Sequence, residues 1–85
     1  MSGASGIRAV VEVLARALTD HPEAVHVTET QHRGTTLVEL YVAPGELGRV
    51  IGRQGRTAAA LRTLAAAAGE KEGKTVQLEI RDGRP

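Results

Sequence analysis

The sequence predicts a small α+β domain in which three helices pack on one face of a three-stranded mixed sheet. Two observations carry this expectation. Apolar residues recur at helical spacing near the amino end, and three short segments alternate apolar and polar residues with the period of a strand. The order is then helix, strand, strand, helix, helix, strand. A strand, two helices and a strand in succession make a crossover, so the second and third strands should lie parallel with a right-handed connection. The other face of the sheet is expected to stay open.

The elements follow in order. "MSGAS" reads as a flexible tail (residues 1–6, with Gly6), and Ser5 is a candidate helix cap. Ile7, Val10, Val11, Leu14, Ala17 and Leu18 follow the i, i+3, i+4, i+7 rule of a one-sided helix, which "DHP" at Asp20–Pro22 stops. Val25 and Val27 alternate with His26 and Thr28 as a first strand. "QHRG" at Gln31–Gly34 reads as a turn. Val38, Leu40 and Val42 alternate with Leu37, Glu39 and Tyr41 as a second strand, completing an antiparallel hairpin. Pro44 suits the first position of a short helix that Gly52 ends. A further helix runs from about Arg56 through "TAAALRTLAAAA" to Gly69, a natural C-cap, with "GEKEGK" as a polar loop. Val76, Leu78 and Ile80 alternate with polar residues as the third strand. The domain is expected to span residues 7–82, with 83–85 frayed.

Composition narrows the class. Eighty-five residues make one domain at most, and 41% hydrophobic with 25% charged residues is ordinary for a globular chain. Cysteine is absent, which rules out disulfides and thiolate metal sites. The apolar runs are too short to span a bilayer, and no charged segment followed by an apolar one opens the chain. A cytoplasmic protein with no membrane attachment is expected. The net charge of +1 is unevenly placed: residues 47–69 hold four arginines and no acid, while the rest is net acidic. A local basic segment is a footprint for an anionic ligand, though not the broad stripe of a duplex-DNA binder.

That segment contains "GRVIGRQGRTAAAL". The pattern Gly-x-x-Gly alone is weak, since it occurs three times: "GASG" at 3–6, "GELG" at 45–48 and "GRQG" at 52–55. The first lies in the tail, and the second carries Glu46, which would repel a phosphate. Only the third joins two helices, follows the apolar Val50 and Ile51, and holds a cation. Gly52 and Gly55 let the backbone turn sharply and let a phosphate approach without meeting a Cβ. The next helix presents its unpaired N–H groups and the positive end of its dipole there. Arg53 and Gln54 sit at the tip as phosphate donors, with Arg49 and Arg56 on the flanks. Gly48 reads as structural.

"GRVIGRQGRTAAALRTL" resembles the helix–GxxG–helix signature of KH domains, and the element order is that of the bacterial, type II version. "HPE" after the first helix and "VAPGELGRVIGRQGR" look like the small single-KH-domain bacterial proteins of the KhpA type, across Ile7 to Asp82. The resemblance implies a type II KH fold and binding of single-stranded RNA, the loop clamping about four nucleotides by their backbone. Bases would lie between the two helices and the third strand, with Val50 and Ile51 flooring the groove or packing beneath it, and Leu78 or its neighbours opposite. It implies an RNA-chaperone or other post-transcriptional role, and self-association or pairing with a larger KH-containing RNA-binding protein. Many KH domains carry a large aliphatic residue where this chain has Ala58, which implies a shallower groove or a packing role passed to Leu61.

Other chemistries find little support. Tyr41 is the only aromatic residue, which argues against an RRM stacking bases on its sheet. His21, His26 and His32 share no ligand spacing. Glu70 and Glu72 read as solvated loop acids. "GRVIGRQG" lacks the Gly-Lys-Ser/Thr of a phosphate-binding P-loop, and no nucleophile–base set appears, so neither an enzyme nor a cofactor is expected. The competing reading is a protein-interaction module that uses the fold for assembly.

Overall fold

The computed structural model describes residues 6–84. The tail reading of Met1–Ser5, the Ser5 cap and Pro85 lie outside the described residues. The elements are α1 (Gly6–Leu18), β1 (His26–His32), β2 (Thr35–Val42), α2 (Leu47–Ile51), α3 (Arg56–Lys71) and β3 (Thr75–Asp82), with 3₁₀ turns at Pro22–Ala24 and Arg53–Gly55. The sheet order is β1-β2-β3, the first pair antiparallel and the second parallel, as expected.

One core joins every element. Ile7, Val11 and Ala15 of α1 are fully buried at a four-residue spacing, which places them on one helix face. They meet Val27, Val38, Leu40, Val42 and Leu78 from one face of the sheet, Val50 from α2, and Leu61 and Ala65 from α3. The register pairs Val27 with Leu40 and Val38 with Leu78, so inward residues of all three strands share rows. The opposite face is open, and its rows run His26–Tyr41–Arg81 and Thr28–Glu39–Glu79. There the Tyr41 hydroxyl donates to Glu39 Oε2 at 3.3 Å, and Arg81 Nε lies 3.1 Å from the same oxygen. Burial, then the Glu39 charge, push the phenol pKa up. The one aromatic ring is thus committed to the sheet. Among the described residues, no helix is long and apolar enough to cross a membrane.

The structure redraws four local expectations. Gly6 belongs to α1 rather than to a tail: its N–H donates to Glu72 Oε2 at 2.9 Å, placing a carboxylate at the positive helix end. The hairpin turn is only Arg33–Gly34, both with positive φ (49° and 82°), so Gln31 and His32 continue β1. Such a two-residue turn has the twist that antiparallel strands favour. Pro44 does not open a helix. It occupies the second position of a turn closed by Glu46 N–H to Ala43 C=O (3.0 Å), with Gly45 at φ 91° in third place, and α2 begins only at Leu47. Gly69 is not a cap but a buried residue inside α3, which continues through Glu70 to Lys71. A Cβ there would strike Val76 and come within 2.8 Å of the Lys74 carbonyl, so Gly69 is where β3 packs closely on the helix. Gly73, at φ 68°, supplies the left-handed residue after the helix.

Candidate nucleic-acid interface

Gly52 ends α2, its N–H donating to the Gly48 carbonyl at 2.9 Å, in a conformation (φ 76°, ψ 174°) open essentially to glycine alone. A single 3₁₀ turn follows. Gln54 (φ 58°) and Gly55 (φ 72°, ψ 12°) are both left-handed, and α3 starts at Arg56. The two glycines serve different ends. A Cβ on Gly52 would strike Thr57, 2.7 Å from its Cβ, whereas a Cβ on Gly55 would point into open space. The first glycine lets the loop fold back on α3, and the second keeps the loop's outer surface bare. Among the described residues the N–H groups of Arg53 and Gln54 find no backbone partner, and the first-turn donors of α3 open beside them.

The side chains divide sharply. The Arg53 side chain is exposed and makes no ion pair or hydrogen bond among the described residues. Arg56 is exposed, and its guanidinium donates to Gln54 Oε1 at 2.7 Å, joining the two into one polar unit at the tip. Val50 is fully buried, so it packs beneath the loop without reaching its surface, and Ile51 is half-buried. Ala58 and Leu61 are both buried, and Leu61 belongs to the core.

Arg49 is placed differently from its position in the sequence. Its guanidinium lies 2.8 Å from Asp20 Oδ2 and 3.5 Å from Glu46 Oε2, so two carboxylates share its charge. Glu46 is buried. It accepts from the Thr19 hydroxyl and from the Asp20 N–H, each at 2.6 Å. The Thr19 hydroxyl, then the Asp20 N–H, hold its carboxyl below the ordinary range despite opposing burial, and Arg49 pulls the same way. The acid read as repelling phosphate is therefore a clamp that ties the end of α1 to the start of α2. No local pattern marks its two hydrogen bonds, because Thr19 and Asp20 come from far along the chain.

Beyond the loop, a groove of about 430 Å³ runs between α3 and the free edge of β3. Arg62 reaches across it, donating from Nε to the Leu78 carbonyl at 3.3 Å, and among the described residues its charge meets no acid. The sequence had a signal for this: Arg62 lies seven residues after Gly55, two turns along the same helix face and roughly 10 Å away. Ala59, between them, is exposed and small. Arg62 is thus a further exposed cation two helical turns from the loop.

Comparison with known proteins gives the family. The family description "KhpA/KhpB, KH domain" matches residues 8–80. The chain belongs to the KhpA/KhpB KH-domain family. RNA-binding protein KhpA of Aquifex aeolicus is 50% identical over 76 residues, covering 89% of this chain and 96% of that protein. Its counterparts are 46% identical in Clostridium perfringens (87% of this chain, 99% of that protein) and 45% in Halalkalibacterium halodurans (89% and 100%). The type II KH order expected from the sequence is thus matched by fold and family together.

Proposed function

We propose that this KH domain is a non-catalytic, cytoplasmic RNA-binding protein that holds short single-stranded RNA by its backbone. Gly52 and Gly55 give a phosphate access, the free N–H groups and Arg53 hold it, and Arg56 fixes Gln54 while adding charge. Val50 and Ile51 support the loop from below, and Arg49 positions it through Asp20 and Glu46. The observation that carries the reading is an unpartnered arginine at a loop whose second glycine opens onto free space, in a KhpA/KhpB-family chain. Backbone contacts carry no sequence information, and the only aromatic is bound to Glu39, so low specificity and a general post-transcriptional role follow. Replacing both Arg53 and Gln54 with aspartate tests this. Loss of RNA binding at unchanged melting temperature is expected; undiminished binding by the folded variant overturns the site.

A second reading concerns assembly, as a homodimer or with a larger KH-containing RNA-binding protein. One observation favours it: Val13 and Leu64 are exposed (67% and 46%) and adjoin Ala9, Val10 and Leu14 in an apolar patch between α1 and α3. The patch lies apart from the GRQG loop, so pairing would link two weak grips into a stronger one. Sedimentation of the wild type and of Leu64→Glu across salt concentrations tests it. Apolar association persists at high salt and is lost in the variant, whereas phosphate-mediated RNA binding weakens as salt rises.

A further inference from the structure

The groove between α3 and β3 continues past the helix. Thr35 and Gln77, which line it, also line a second hollow of about 280 Å³ bounded by His32, Arg33 and Leu37. The two meet around the start of β3, where Thr35 pairs with Thr75 and Leu37 with Gln77. α3 passes Leu78 at Arg62 and Val76 at Gly69, so the start of β3 lies at the end of the sheet away from the GRQG loop. Arg33 stands there exposed, with no ion pair or hydrogen bond among the described residues. It is the first residue of the two-residue hairpin turn, at φ 49°, a left-handed position where asparagine ahead of glycine is favoured. An arginine at that position works against the local turn chemistry and gains no partner in the fold. Of the residues lining the two hollows, Glu79 is the only acid, and it accepts from the Gln77 amide at 3.2 Å.

We propose that Arg33 is a further phosphate contact, one that carries the RNA path out of the groove, round the start of β3, to the β1–β2 hairpin. A KH loop and groove hold about four nucleotides, so the hairpin takes a phosphate beyond them. The contact is one of charge with charge and reads no base. Arg33 is fit for it because no acid of the fold competes for its guanidinium and the hollow beside it opens from the groove. An exposed ion pair of this kind changes affinity by about 2- to 5-fold. Neutralising one more phosphate on a single strand also steepens the log–log salt slope by about 0.7. The inference rests on the RNA-binding reading above.

RNA length supplies the test. Binding of rU4 and rU8 is measured across salt concentrations for the wild type, Arg33→Asn, Arg33→Lys and Arg53→Ala. Arg33→Asn places the favoured Asn-Gly pair in the turn, so it should melt at or above the wild-type temperature. The extra registers that rU8 offers a short site raise affinity alike in every variant, so variants are compared at each length. Arg33→Asn is expected to match the wild type on rU4 and to bind rU8 about 2- to 5-fold more weakly, its slope shallower by about 0.7 on rU8 alone. Arg33→Lys, which keeps the charge, retains the rU8 affinity, and Arg53→Ala weakens both lengths. Wild-type rU8 affinity and slope in Arg33→Asn, an equal loss on rU4 and rU8, or an Arg33→Lys as weak as Arg33→Asn overturns the inference and leaves RNA binding standing. Failure of the wild type to bind either length overturns both.

Discussion

The loop glycines make a prediction whose size comes from the geometry, because Gly52 and Gly55 both have positive φ yet differ in ψ and in what surrounds them. Gly52→Ala forces a side chain into a backbone region reserved for glycine, at about 1–3 kcal/mol. Its Cβ must also push Thr57 aside, since it would sit 2.7 Å from the Thr57 Cβ and 3.1 Å from its backbone nitrogen. Overpacking of that kind adds about 1–3 kcal/mol. Gly55→Ala takes an ordinary left-handed conformation at about 1–2 kcal/mol and meets nothing within 4 Å. Gly52→Ala should therefore cost roughly twice as much as Gly55→Ala. Urea unfolding resolves the difference, as does thermal melting, where 1 kcal/mol moves Tm by about 4–8 °C in a domain of this size. RNA binding below the melting range should show the reverse emphasis. The Gly55 methyl occupies the space a phosphate approaches, so Gly55→Ala weakens binding more than its modest stability loss explains. A Gly55→Ala variant as unstable as Gly52→Ala would refute the division of labour between the two glycines.

Three further outcomes are expected. Gly69→Ala gains about 1 kcal/mol of helix propensity but must displace Val76 and the Lys74 backbone, so chemical denaturation should show net destabilisation. Glu46 has a folded pKa below its ordinary 4.5, so its contribution is fully present above pH 4.5 and is lost as pH falls through the lower folded value. The stability gap between wild type and Glu46→Gln, followed by urea titration, should accordingly be constant at neutral pH and narrow in acid. Finally, among the described residues no acid offsets Arg53, Arg56 or Arg62, while Arg49 is shared by two carboxylates. The log–log salt slope of RNA binding should be about −2, from ~0.7 per phosphate on single strands. Arg53→Ala should flatten that slope, and Arg49→Ala should lower stability while leaving the slope in place.

The fold was legible because its signals are local and repeat. Alternation in β2 and β3, the four-residue spacing of Ile7, Val11 and Ala15, and the element order determine the sheet and its covered face without reference to distant residues. The misplaced details fall where a residue's local meaning yields to a tertiary neighbour. Gly69 looks like a helix end until Val76 packs on it, and Pro44 looks like a helix start until Gly45 closes the turn.

The loop shows the same limit in its charges. Four arginines within residues 47–69 read as four units of positive charge, because sequence proximity says nothing about which acids fold back onto them. Asp20 and Glu46 reach Arg49, and none among the described residues reaches Arg53, Arg56 or Arg62. The arginine nearest the loop on its amino-terminal side is thereby committed to holding α2 against α1, and the one two helical turns beyond it stands in the groove. Flank position in the sequence overstated Arg49 and understated Arg62. A basic segment predicts that an anion binds; which of its cations remain uncompensated depends on where the acids fold.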